Sequence, residues 1–138
     1  MASTGLDLTS LRNVIQRLAE GIARYQQDTS DTQIRDGLVQ RFEFTYEISH
    51  KMLKRYLDMA AASPDEIENL AFPDLIRKGS EKGLLRSDWP LWRRYREMRG
   101  KTSHAYDEKI ALEVVAAIPD FLLEAQFLQQ QLEQRSGG

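Results

Sequence analysis

The feature that most restricts this chain is the spacing of its apolar residues. Leu8, Leu11, Ile15, Leu18, Ile22 and Tyr25 recur at intervals of three, four and seven, which puts them on one stripe of a helix and on no face of a strand. A second and longer stripe runs through Ile34, Leu38, Phe42, Thr45, Tyr46, Ser49, Met52, Leu53, Tyr56 and Leu57. Thr45 and Ser49 are small enough on that face to let another helix approach closely. Phe44 and Ile48 fall off the stripe, one turn apart, so they serve either a second layer of the same core or a contact between subunits. Glu47 and Lys51 have the i,i+4 spacing of a helical ion pair. No strand-type alternation, internal repeat or glycine-rich phosphate loop interrupts this pattern.

Breaks between the stripes divide the chain. The polar run Asp28-Thr29-Ser30-Asp31 ends the first helix and supplies N-cap residues for the second. Ser63-Pro64-Asp65-Glu66 reads as a helix start, with a cap, proline at the first helical position and acids in the first turn. Pro73 makes that helix short and opens another from about Pro73 to Lys82, which Gly83 would stop in the left-handed conformation. A further helix runs from Asp88-Trp89-Pro90 to Gly100. The last runs from about Asp107 to about Gln130 with Ile110, Val114, Ala117, Phe121, Ala125 and Leu128 inward, and Pro119 is expected to kink or split it.

The expected fold is an all-α, antiparallel bundle of four or five helices, dimerising, in one domain spanning 1–138. Its ordered core is expected over about 6–131, with 132–138 a tail. At 138 residues and 41% hydrophobic the chain can bury a core, and with no cysteine it can build neither a disulfide framework nor a zinc–thiolate site. The first ten residues lack the pattern of a signal peptide and the apolar runs are too short for a bilayer, so a cytoplasmic protein without a membrane is expected.

The net charge of −2 conceals an asymmetry: residues 86–101 carry +4 and the remainder −6. Such a segment is either a polyanion site or a solvated helix face. Within it, Arg93, Arg96 and Lys101 are candidate RNA contacts. Arg99 stands out because it lies about 40° from Tyr95 on the helical wheel, inside the apolar face with Leu91, Trp92 and Met98. An arginine there must find an anion, or cap the carbonyls that end its helix. Trp92 and Tyr95 are expected in the core.

Five residues on, His104 sits in a short connection before the Asp107 cap, where the positive helix end favours a neutral imidazole able to act as a base. Tyr106 follows, and an extended connection would send both side chains to one side. A cation beside a neutral base is a minimal kit for cleaving RNA. The base takes the proton of a ribose 2′-OH, and the cation stabilises charge on the phosphorus-centred transition state. No metal ligand set or cofactor is called for, and DNA, having no 2′-OH, would not serve.

The run Arg99-Gly-Lys-Thr-Ser-His104-Ala-Tyr106-Asp-Glu resembles the signature of HEPN-domain proteins of the HepT type, the nucleotidyltransferase substrate-binding family. Arg41–Leu57 is similar to that family's long-helix block and Pro73–Leu85 to its third block. The resemblance implies a helical bundle that forms a homodimer with two Arg–His motifs facing each other. It implies a metal-independent ribonuclease toxin whose catalytic residues are Arg99 and His104. It also implies a minimal nucleotidyltransferase antitoxin as partner, which inhibits by AMPylation of Tyr106. Two positions depart from the family pattern: Gly100 stands where a polar residue is common, and His50 where relatives often carry an aromatic. The alternative is a non-catalytic module serving a nucleotidyltransferase as accessory subunit or substrate.

Overall fold

The computed structural model describes residues 6–63 and 65–135. Six α-helices follow one another: α1 (Thr9–Gln27), α2 (Thr32–Ala60), α3 (Asp65–Glu68), α4 (Phe72–Glu81), α5 (Trp89–Lys101) and α6 (Glu108–Arg135). A single 3₁₀ turn, Thr102–His104, joins α5 to α6. The fold is all-helical as the periodicity requires; the helix count reaches six because α3 is a separate turn. Its first residues Asp65 and Glu66 lie where the acidic start was expected, while Pro64 lies outside the described residues.

Local chemistry sets the helix ends. Asp31 Oδ1 accepts the N–H groups of Gln33 at 2.9 Å and Ile34 at 3.1 Å, capping α2. Asp107 Oδ1 does the same for Ile110 at 3.2 Å. At the end of α4, Gly83 takes φ +77° and the N–H groups of Gly83 and Leu84 return to the carbonyls of Ser80 and Gly79, a Schellman termination. Glycine is the residue that adopts this φ without strain.

The four-residue connection after α1 makes α1 and α2 antiparallel neighbours. Leu11 and Leu18 of α1 and Leu38, Phe42 and Leu53 of α2 are buried in the core. The Thr45 hydroxyl lies 2.7 Å from the Arg41 carbonyl of its own helix and 3.2 Å from the Val14 carbonyl of α1, so the small-residue face of α2 is where the two helices approach. The Glu47–Lys51 pair does not form; Glu47 is taken by a partner from α5 instead. Ile48 packs against the core, whereas Phe44 stays 51% exposed.

One expectation is corrected at α6. The helix runs on to Arg135, and Leu132 is fully buried, so 132–135 belong to the bundle rather than to a tail; 136–138 lie outside the described residues. Pro119 does not split the helix. It sits on the exposed side, where the Val115 carbonyl that it leaves without an N–H partner can reach water.

The aromatic centre of the bundle positions the functional surface. Trp92 and Tyr95 of α5 are buried, and both meet the ring of Phe121 on α6 nearly at right angles, with centroids 5.7 and 5.0 Å apart. Phe42 of α2 meets the same ring at 5.2 Å. Rings of this size in edge-on contact fix the rotation of α5 about its axis. One turn beyond Tyr95, that rotation lays Arg99 against α2.

Candidate functional site

Arg99 does not cap its own helix. Its Nη1 lies 3.2 Å from Glu43 Oε2 and its Nε 3.0 Å from Glu47 Oε1, the two carboxylates standing one turn apart on α2. Thr102 closes the cluster: its hydroxyl lies 3.3 Å from Glu43 Oε2, 2.8 Å from the Arg99 carbonyl and 3.4 Å from Arg99 Nη1. The guanidinium is therefore oriented by two anions and remains 30% exposed. The two carboxylates engage Nε and Nη1, which leaves the Nη2 end of the guanidinium without an ion-pair partner among the described residues.

His104 ends the 3₁₀ turn and is exposed. Among the described residues its imidazole makes no hydrogen bond; its neighbour is the ring of Tyr106, 6.2 Å away and steeply inclined. The connection is helical rather than extended, since Ala105 has φ −73° and ψ −1°. The two rings still meet, because Ala105 turns inward as a buried anchor between them. Tyr106 is 86% exposed and does not pack on the start of α6. It borders a depression of about 420 Å³ whose other walls include Asp36, Gln40, Glu43 and Thr102. Glu43 and Thr102 thus tie this depression to Arg99.

The remaining cations of the basic stretch are not equivalent. Lys101 is engaged by Glu113 at 2.6 Å and Arg93 by Glu97 at 3.4 Å. Arg96 makes no ion pair among the described residues; its guanidinium lies over the Phe72 ring, 5.0 Å from the centroid. Arg96 therefore stands beside Arg99 with its charge uncompensated. Among the described residues, no three acidic or histidine side chains converge to hold a metal ion.

Glu43 and Thr102 are the residues that sequence reasoning missed. The i,i+4 spacing of Glu43 and Glu47 is visible in the chain, but nothing local says that they face an arginine more than fifty residues away. A second missed group is Glu124, fully buried on α6. Its Oε2 accepts the N–H groups of Arg86 at 2.7 Å and Ser87 at 3.3 Å, pinning the connection that leads into α5. Burial pushes its pKa up, and the hydrogen bonds from residues 86–87 oppose this only in part.

Comparison with known proteins agrees with this architecture. Residues 6–134 match the family model described as nucleotidyltransferase substrate binding protein like. A protein of Haemophilus influenzae named probable ribonuclease HepT is 46% identical over 100 residues, covering 72% of this chain and 68% of its own. A solved structure from the same organism is described as the fold of a substrate binding domain of a nucleotidyltransferase. It superimposes with a TM-score of 0.86 at 36% identity, over 92% of this chain and 99% of that one. No helix among the described residues is long and apolar enough to cross a membrane.

Proposed function

The chain belongs to the nucleotidyltransferase substrate-binding family, and on that premise we propose that it is a HepT-like, metal-independent endoribonuclease of the cytoplasm, the toxin of a toxin–antitoxin pair. The observation that carries this is the joining of Arg99 to the His104–Tyr106 turn through Thr102 on one open surface. His104, with no internal hydrogen bond to break, removes the 2′-OH proton. The 2′-oxygen then attacks phosphorus and the bond to the 5′-oxygen breaks, that oxygen leaving as a hydroxyl with a proton taken from water. Arg99 binds the non-bridging oxygens, where charge accumulates. Two copies in a homodimer place one Arg–His set near its symmetry mate and double a sparse site.

The partner is a minimal nucleotidyltransferase that moves AMP from ATP to the Tyr106 hydroxyl with release of pyrophosphate. The exposure of Tyr106 supports this, since the hydroxyl is open to a second active site. The added phosphodiester sits beside His104, competes for Arg99 and repels the RNA backbone.

One observation favours a second reading, a non-catalytic module for a nucleotidyltransferase: Arg99 is already held by two carboxylates of its own chain. Expression of the wild type beside His104→Ala separates the two. The ribonuclease reading expects growth arrest and RNA cleavage from the wild type alone; equal growth with intact RNA in both contradicts it.

A further inference from the structure

Arg99 lies on a ridge between two depressions. Its partners Glu43 and Thr102 line the one bordered by Tyr106, while Glu47 and Arg99 itself line a second, of about 390 Å³, between α2, α4 and α5. Tyr46, His50, Phe72, Arg96 and Gly100 complete this second hollow. Its volume falls in the range of small-ligand sites.

The walls have a particular chemistry. His50 of α2 and Phe72 of α4 meet edge to face with centroids 4.8 Å apart, and both are only half buried. Arg96 lies over the Phe72 ring at 5.0 Å and carries no ion pair. Burial lowers the His50 pKa, so its imidazole is neutral at pH 7 and presents a flat face with a donor and an acceptor. Gly100 leaves the mouth open, because a Cβ built there meets nothing within 4 Å. Helical side chains lean toward the N-terminus of their helix, so a larger residue at 100 would reach back across the opening toward Arg96.

Flat rings, unpaired arginine charge and a neutral hydrogen-bonding edge beside a phosphate-binding arginine are the features by which single-stranded RNA is held. We infer that this hollow is a nucleobase subsite for the nucleotide adjoining the phosphate bound by Arg99, with His50 and Phe72 as its walls, Arg96 on the next phosphate, and Gly100 as the open door that admits the base. The inference rests on the ribonuclease reading and adds to it a specificity site.

The test uses the full chain and a short single-stranded RNA, together with the same RNA made abasic at one nucleotide at a time. For the wild type, one abasic position next to the cleaved bond raises KM roughly tenfold, the scale of one base–aromatic stack. Gly100→Leu raises KM on the intact RNA by a similar factor and no longer distinguishes the abasic RNA. It melts no lower than wild type, because leucine favours a helix over glycine. His50→Ala acts in the same direction. Cleavage with KM unchanged by any abasic position, or by Gly100→Leu, overturns the subsite and leaves the ribonuclease reading standing. A wild type that cleaves no RNA overturns both. A shift of Gly100→Leu from dimer to monomer in sedimentation would assign the hollow to a second copy of the chain and overturn the RNA assignment.

Discussion

Arg99 shows how a residue can be legible in kind and illegible in detail. Its place on the apolar side of α5 marks it as an arginine in need of an anion, and it has two, both from α2. The identity of those anions depends on how α5 docks against α2, which periodicity does not encode. For the same reason Glu47 abandons the local pairing with Lys51: an i,i+4 ion pair is worth only tenths of a kcal/mol, and a tertiary arginine replaces it readily. Truncation of Arg99 to alanine is expected to abolish cleavage. It should change stability by no more than about 1 kcal/mol, since Glu43 and Glu47 are partly exposed and regain water. Thermal melting beside an RNA cleavage assay checks both halves. Tyr106 gives the second prediction at this scale. Incubation with the cognate nucleotidyltransferase and ATP should add at least one AMP, read as intact mass, and Tyr106→Phe should lose it. An adduct on another residue, or full modification with undiminished cleavage, would contradict the proposed inhibition.

Among the elements, the connection from α4 to α5 depends on one buried carboxylate. Its signal was present in the chain: Glu124 lies three residues after Phe121 and four before Leu128, inside an otherwise apolar face, where an acid needs donors. What the chain did not reveal is that the donors are the backbone N–H groups of Arg86 and Ser87, because only the folded connection brings them there. The helix ends were more readable, since Asp31, Asp107 and Gly83 act on their own neighbours. The end of α6 was less so, because Leu132 is inside only by virtue of the helices around it. Glu124 also sets a pH dependence. Its folded pKa is raised, so the stability it contributes is full below its unfolded pKa and is lost as pH rises through the folded value. Glu124→Gln keeps an acceptor oxygen for the Arg86 N–H and removes the desolvated charge. The melting temperature of the variant relative to wild type should therefore climb as the pH rises above the ordinary carboxylate range. A difference that is flat, or that falls as the pH rises, would contradict the assignment.

For the whole molecule, the helical class, the single bundle and the family were legible, because helical periodicity and a spaced motif are properties of sequence order. Oligomeric state belongs to surfaces rather than to periodicity: Phe44, one of the exposed large hydrophobic residues among those described, stays half exposed on α2 beside the Glu43 that pairs with Arg99. A homodimer through this face is expected, and a sedimentation profile showing only monomer at micromolar concentration would contradict it. The proposed reaction is cleavage of RNA by His104 and Arg99 through its own 2′-OH. It is tested most directly by the cleavage rate of one single-stranded RNA and its 2′-deoxy counterpart in EDTA, with purified wild type and His104→Ala. Cleavage of the RNA alone is expected, leaving a 2′,3′-cyclic phosphate, slowed roughly 10²- to 10⁴-fold by His104→Ala in a protein that remains folded. Cleavage of the deoxy strand, or equal rates for wild type and His104→Ala, would contradict it.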